Sequence, residues 1–227
     1  LFQAGLPHSA LQLLLGEGES IGHIVLGDPR IKGVLFTGSC ETAIKIKKNL
    51  NKSEGEIIPL TAETGGLNFM IIDSSALTEQ VVDDAIESGF YSAGQRCSAL
   101  RILAVQEEVY ERTINMLKGA TKKIKVGLPY LLSTDIGPVI DQEAKDRINN
   151  HIQSFSSKVL VKTSISNEKD GFYVSPTIIE IDNLSEVKEE IFGPVIHVYK
   201  YKADEIEKLV SDINKMNYGL TLGIQSR

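Results

Sequence analysis

Apolar residues follow one another along this chain in two rhythms. Short, largely apolar runs occupy 11–15, 31–36, 57–62, 67–72, 100–105 and 195–199, the pattern of strands buried on both faces. Between them, apolar positions recur with helical spacing over 20–26, 40–50, 78–91, 107–125, 141–155 and 203–214. In the third of these, Val81, Val82, Ala85, Ile86 and Phe90 share a face; in the fourth, Val109, Ile114, Met116 and Leu117 are the apolar positions. Residues 1–5 read as the last turn of a helix, and 220–226 as a final strand. Strands at 158–161 and 173–181 flank a polar, exposed loop around 167–171, and the Gly-, Pro- and Ser-rich stretch 127–138 reads as a loop. Strands alternating with helices predict an α/β fold with parallel pairing. No internal repeat or low-complexity segment interrupts the pattern.

The junctions between elements carry the first chemistry. Gly16-Glu17-Gly18 approximates a dinucleotide fingerprint whose third glycine comes one residue late, and a plain tight turn accounts for it equally well. Thr37-Gly38-Ser39 joins a strand to a helix, with Ser39 as a natural N-cap. Such a turn gathers free N–H groups at the positive end of a helix and suits a pyrophosphate; an ordinary strand-to-helix turn looks the same. Glu63, in Glu63-Thr64-Gly65-Gly66, follows the next strand, where open α/β sheets bind ligands; the plainer reading is a surface turn carboxylate. Together these suggest a dinucleotide-binding half-domain.

The run Ser92-Ala93-Gly94-Gln95-Arg96-Cys97-Ser98-Ala99-Leu100-Arg101 lies between a helix and a strand. Small residues surround the Cys97 thiol, and Arg96 is a neighbouring cation that would favour the nucleophilic thiolate. The commoner role of a lone cysteine is packing. Composition removes whole classes of function. A net charge of −6 without a basic stretch gives nothing for nucleic acid to hold, and no apolar run approaches the roughly 20 residues of a membrane helix. The four histidines are scattered without metal-ligand spacing. Two cysteines, Cys40 and Cys97, make no disulfide framework and suit a reducing, cytoplasmic setting.

Four motifs stand in order: Phe36-Thr37-Gly38-Ser39, Glu63-Thr64-Gly65-Gly66, Gly94-Gln95-Arg96-Cys97 and Glu190-Ile191-Phe192-Gly193-Pro194. This set resembles the aldehyde dehydrogenase superfamily, whose base and nucleophile show the same separation as Glu63 and Cys97, 34 positions. The sequences around Glu63 and Cys97 most resemble the L-glutamate γ-semialdehyde (1-pyrroline-5-carboxylate) dehydrogenase domain of bifunctional proline-utilisation proteins. The resemblance implies an aldehyde dehydrogenase-like α/β fold, with residues 1–66 a partial Rossmann-like NAD-binding domain and 67–227 a catalytic domain, C-terminally truncated. It implies Cys97 as nucleophile and Glu63 as the base that activates the deacylating water. For NAD it implies Thr37 and Gly38 shaping a turn, Ser39 and its helix at the pyrophosphate, Glu190 on the nicotinamide ribose and Phe192 beside the nicotinamide. Ser98 would touch the substrate carboxylate, or bond to local backbone. Arg96 and Cys40 would be structural. No metal is implied.

The resemblance implies that the chain is about half of a full-length family member. The lysine for the adenosine ribose and the asparagine of the oxyanion hole have no counterpart in it. The expectations are therefore weak NAD binding by this stretch alone, and a homo-oligomer or partner-dependent assembly that covers exposed strands. The rival readings are an inactive remnant serving as an assembly module, and a thiol-esterase needing only Cys97 and Glu63.

Overall fold

The computed structural model describes residues 1–52, 57–165 and 171–227, so most of the 167–171 loop lies outside the described residues. The chain separates into two compact units, Leu1–Gly65 and Gly66–Arg227.

The first unit contains helix α1 (Gly18–Leu26), strand β1 (Val34–Gly38), helix α2 (Cys40–Leu50) and strand β2 (Leu60–Thr64). β1 and β2 are parallel, in a register that sets Phe36 beside Ala62 and Thr37 beside Glu63. Both strands start three residues later than the apolar runs suggest. At β2 the cause is Pro59, which has no N–H to give a ladder; its carbonyl instead accepts from Val34 N at 2.9 Å. The shift carries Thr37 and Gly38 into β1 and Glu63 into β2, where turns were expected. Ser39 caps α2 as expected, accepting from Thr42 N at 3.1 Å.

Residues 11–15 form no strand. They are irregular and exposed, with Leu13 at 80% and Leu15 at 83%. A strand is stable only when a neighbour takes up its backbone hydrogen bonds, and among the described residues the sheet of this unit contains β1 and β2 alone. Likewise residues 1–5 form only a 3-10 turn, Phe2–Ala4, ended by Gly5 at φ 93°.

The second unit is a six-stranded sheet in the order β5-β6-β7-β4-β3-β8. Its strands are β3 (Asn68–Ile72), β4 (Leu100–Gln106), β5 (Val159–Lys162), β6 (Thr177–Ile181), β7 (Val195–Tyr201) and β8 (Leu222–Gln225). All pairs are parallel except β5 with β6. Every residue of β3 and β4 is buried, as their largely apolar runs predict, including the polar Asn68, Arg101 and Gln106. Helices α3 (Thr78–Phe90), α4 (Glu107–Thr121), α5 (Gln142–Ser154) and α6 (Ile206–Lys215) complete the unit. The α3 face Val81, Val82, Ala85 and Phe90 is buried in the core, as its spacing predicts. α5 is capped by Asp141, which accepts from Ala144 N at 2.8 Å.

The strand expected over 173–181 begins only at Thr177, because Pro176 cannot donate to the ladder. The helix expected to reach 125 ends at Thr121, whose Oγ1 turns back to donate to the Leu117 carbonyl at 2.8 Å. The helix expected from 203 starts as a 3-10 turn, Ala203–Glu205, before α6. α3 stops at Phe90, and a tight turn, Tyr91–Gly94, leads from it into the Cys97 loop.

Candidate active site

The turn after α3 is unusual in its backbone. Ser92, Ala93 and Gly94 all have positive φ, at 58°, 54° and 66°. A non-glycine residue in this region is strained by about 1–2 kcal/mol, so two in succession need external support. Glycine is required at 94 for a second reason: a Cβ there would lie 2.1 Å from the Gly193 carbonyl oxygen. The Cys97 loop therefore runs backbone to backbone against the Gly193 turn.

Two buried side chains hold this loop. Asn68, at the start of β3, donates from Nδ2 to the carbonyls of Cys97 at 2.7 Å and Ala99 at 2.8 Å. Its Oδ1 accepts from Thr221 N at 3.1 Å, so both ends of the amide are engaged. Arg101, 1% exposed in β4, donates to the carbonyls of Gly94 at 2.8 Å, Arg96 at 3.2 Å and Gly193 at 3.1 Å. It also pairs with Glu190 Oε1 at 3.0 Å and lies 5.4 Å from the centre of the Phe192 ring. Burial lowers the Arg101 pKa from its usual value; the Glu190 carboxylate and the nearby Cys97 sulfur oppose that shift. The Cys97 side chain, on this fixed backbone, is exposed.

Arg96 reaches the other way, donating to the carbonyls of Glu87 at 2.8 Å and Ser88 at 3.4 Å, where it ties down the last turn of α3. The charge built into the loop's support is that of Arg101. Cys40, expected to pack, is exposed at the first position of α2. Ser98 and Phe192 are exposed as well, and Glu190 is half-buried. Cys97, Ser98, Glu190 and Phe192, with Gly94 and Arg101, lie in the second unit, and Cys40 in the first. In the first unit, Thr37, Gly38, Ser39 and Glu63 gather at the carboxyl ends of β1 and β2. The Ser39 hydroxyl is committed to its cap, also donating to Thr42 Oγ1 at 2.9 Å, so an anion there would be met by first-turn N–H groups.

A second polar cluster lies behind Arg101. His197, 2% exposed in β7, makes a 3.2 Å bond from Nδ1 to the Arg101 carbonyl and a 2.9 Å bond from Nε2 to His151 Nε2. A carbonyl only accepts, so Nδ1 of His197 carries its proton and its Nε2 accepts from His151. Burial, then the charges of His151 and Arg101, push the His197 pKa down to about 3; burial lowers that of His151. A surface groove of about 780 Å³ runs along α5 past His151 and Glu189, and none of the sequence-predicted site residues lines it.

Sequence reasoning missed Asn68, Arg101 and His197 as elements of the site. Each interrupts an otherwise apolar strand, and a polar side chain in such a run is the available signal that it has a buried partner.

The model of the aldehyde dehydrogenase family matches residues 1–227. The chain belongs to the aldehyde dehydrogenase family. Among relatives, the bifunctional protein PutA of Klebsiella aerogenes is 49% identical over all of this chain, which spans 18% of that protein. A 1-pyrroline-5-carboxylate dehydrogenase of Geobacillus is 34% identical over the whole chain and 45% of its own length. The chain thus spans less than half of these aldehyde dehydrogenase relatives. A mutant of Bradyrhizobium japonicum proline utilization A superposes with a TM-score of 0.94 at 44% identity, over 99% of this chain and 23% of that one. Betaine aldehyde dehydrogenase from Staphylococcus aureus, in complex with NAD+, gives 0.87 at 29% identity over 100% of this chain and 45% of that one. Among the described residues, no helix is long and apolar enough to cross a membrane.

Proposed function

We propose that this chain carries the nucleophile, the general base and part of the cofactor site of an NAD-dependent aldehyde dehydrogenase acting on L-glutamate γ-semialdehyde. The observation that carries the reading is an exposed thiol, Cys97, on a loop whose carbonyls are held by two buried side chains. The substrate class rests on the likeness to PutA and to 1-pyrroline-5-carboxylate dehydrogenase.

Residues 1–66 are the partial NAD-binding domain in this reading, and 67–227 the catalytic domain. The residues present fit NAD. The α2 N-terminus, capped by Ser39 and approached through Thr37 and Gly38, suits the pyrophosphate. The Glu190 carboxylate has one oxygen held by Arg101 and a second to offer a ribose hydroxyl, and the exposed Phe192 ring offers a face to the nicotinamide. When bound, NAD supplies the two-electron acceptor for aldehyde oxidation.

The chain's own residues do the rest. The Cys97 thiolate adds to the aldehyde carbon and forms the C–S bond of a thiohemiacetal. After oxidation the acyl group is held as a thioester on the same sulfur. Glu63 takes a proton from water, the hydroxide adds to the thioester carbon, and the C–S bond breaks to return the thiolate. In this reading Ser98, exposed next to the nucleophile, donates to the substrate carboxylate.

The test is NADH formation from glutamate γ-semialdehyde by the protein carrying this chain. Cys97→Ala should abolish it, and Glu63→Gln should leave a burst of about one NADH per site followed by slow turnover. Full activity in Cys97→Ala refutes the reading.

A further inference from the structure

All four terminal N–H groups of Arg101 are in use, and they serve two separate segments. Two hold the Cys97 loop through the carbonyls of Gly94 and Arg96; one of the others holds the Gly193 carbonyl, and one the Glu190 carboxylate. Its fifth donor, Nε, is buried with no partner among the described residues. Leaving such a donor unpaired costs stability, so the guanidinium is placed for its terminal contacts rather than for full satisfaction.

We propose that Arg101 is a positioning residue that locks the Cys97 loop and the Glu190 carboxylate into one rigid piece. The place of the nucleophile and the place of the cofactor-ribose ligand are then set by a single planar fork. The proposal rests on the reading of Glu190 as that ligand. Three observations support it. The loop contains two strained non-glycine residues, Ser92 and Ala93, which need tertiary support. Gly94 and Gly193 touch backbone to backbone, so a shift in one segment is felt by the other. The fork also cannot be replaced by a lysine, whose single ammonium has no planar set of donors to span four acceptors.

The decisive measurement is the rate of Cys97 alkylation by iodoacetamide in the protein without NAD, read by mass mapping, alongside KM for NAD and kcat. Arg101→Lys keeps the charge and removes the fork. It should slow Cys97 alkylation about tenfold and raise KM for NAD about tenfold, with the Cys40 rate unchanged. Glu190→Gln, which keeps the shape and removes one charge from the Arg101 set, should change Cys97 alkylation about threefold without NAD. A merely structural arginine would lower the melting temperature and leave both rates as they were. Unchanged alkylation in Glu190→Gln, or in a folded Arg101→Lys, overturns the proposal; if Arg101→Lys does not fold, Glu190→Gln decides. Alkylation needs neither NAD nor turnover, so an absence of aldehyde oxidation in the parent protein would sink the functional reading and still leave this one decided.

Discussion

The buried histidine pair makes the protein's stability depend on pH in a way that can be worked out. His197 has an ordinary value of 6.5 and a folded value of about 3. Its folded pKa is depressed, so the folded state prefers the neutral ring. The stability this represents is fully present above the unfolded pKa and is lost as pH falls from there toward the folded value. Between about pH 8 and about pH 5 the unfolded state gains a proton that the folded state refuses, and the loss is about 2 kcal/mol. His151, also lowered, acts in the same direction. The carboxylates with depressed values, Asp73 and Glu186 among them, start from 3.8 and 4.5 and titrate mostly below this window. Geometry explains the refusal: a proton on His197 Nε2 would set two donors face to face across 2.9 Å. Urea unfolding of the protein and of His197→Gln at both pH values is the assay. The variant should be less stable at about pH 8 yet lose about 2 kcal/mol less on acidification. Equal acid losses in the two proteins would refute the reasoning.

Gly94→Ala should cost about 3 kcal/mol or more and abolish activity, since it adds backbone strain and drives a methyl into the Gly193 carbonyl; a melting temperature within a degree or so of the parent would contradict this. Asn68→Ala strands two carbonyls and one N–H and should cost about 3 kcal/mol, with a Cys97 alkylation rate altered in the same preparation. Limiting iodoacetamide should label Cys97 before Cys40; both thiols are exposed, so any preference comes from the loop and not from access, and labelling of Cys40 first would remove Cys97 as the nucleophile. With Leu13, Leu15, Leu35 and Ile57 exposed, the chain prepared alone should self-associate at tens of micromolar, and light scattering from a monodisperse monomer would contradict that.

Much of the second unit can be read from its sequence. The largely apolar runs of β3, β4 and β7 mark central parallel strands, and Asp141 marks a helix start that the structure keeps. The same rule fails at residues 11–15, where an equally apolar run stays irregular, because apolarity does not say whether a partner strand is adjacent. Proline decided two strand starts: the missing N–H of Pro59 and of Pro176 trimmed runs that hydrophobicity alone would extend. At the site, the motifs single out Cys97 and Glu190 as separate pieces of chain. What joins them, Arg101, sits in an apolar strand where a charge looks like an exception until its four acceptors are seen. Arg96, adjacent in sequence, looked like the thiol's cation and is bound instead to the end of α3.

The Cys97 loop is held by Arg101 and by side chains from distant parts of the chain: Asn68 lies 29 residues from Cys97, and the Glu190 that anchors Arg101 lies 89 from it. Such a shape has few local bonds of its own, the turns closed by Gln95 N on the Ser92 carbonyl and Ala99 N on the Arg96 carbonyl among them. The strained turn at Ser92 and Ala93 should relax once the Gly193 segment lets go, before the six-stranded sheet melts. The thiol's reactivity is therefore an early casualty of fraying. In a denaturant series, Cys97 should change its alkylation rate at concentrations where far-UV circular dichroism still reports a native sheet, making the cysteine a built-in gauge of local opening.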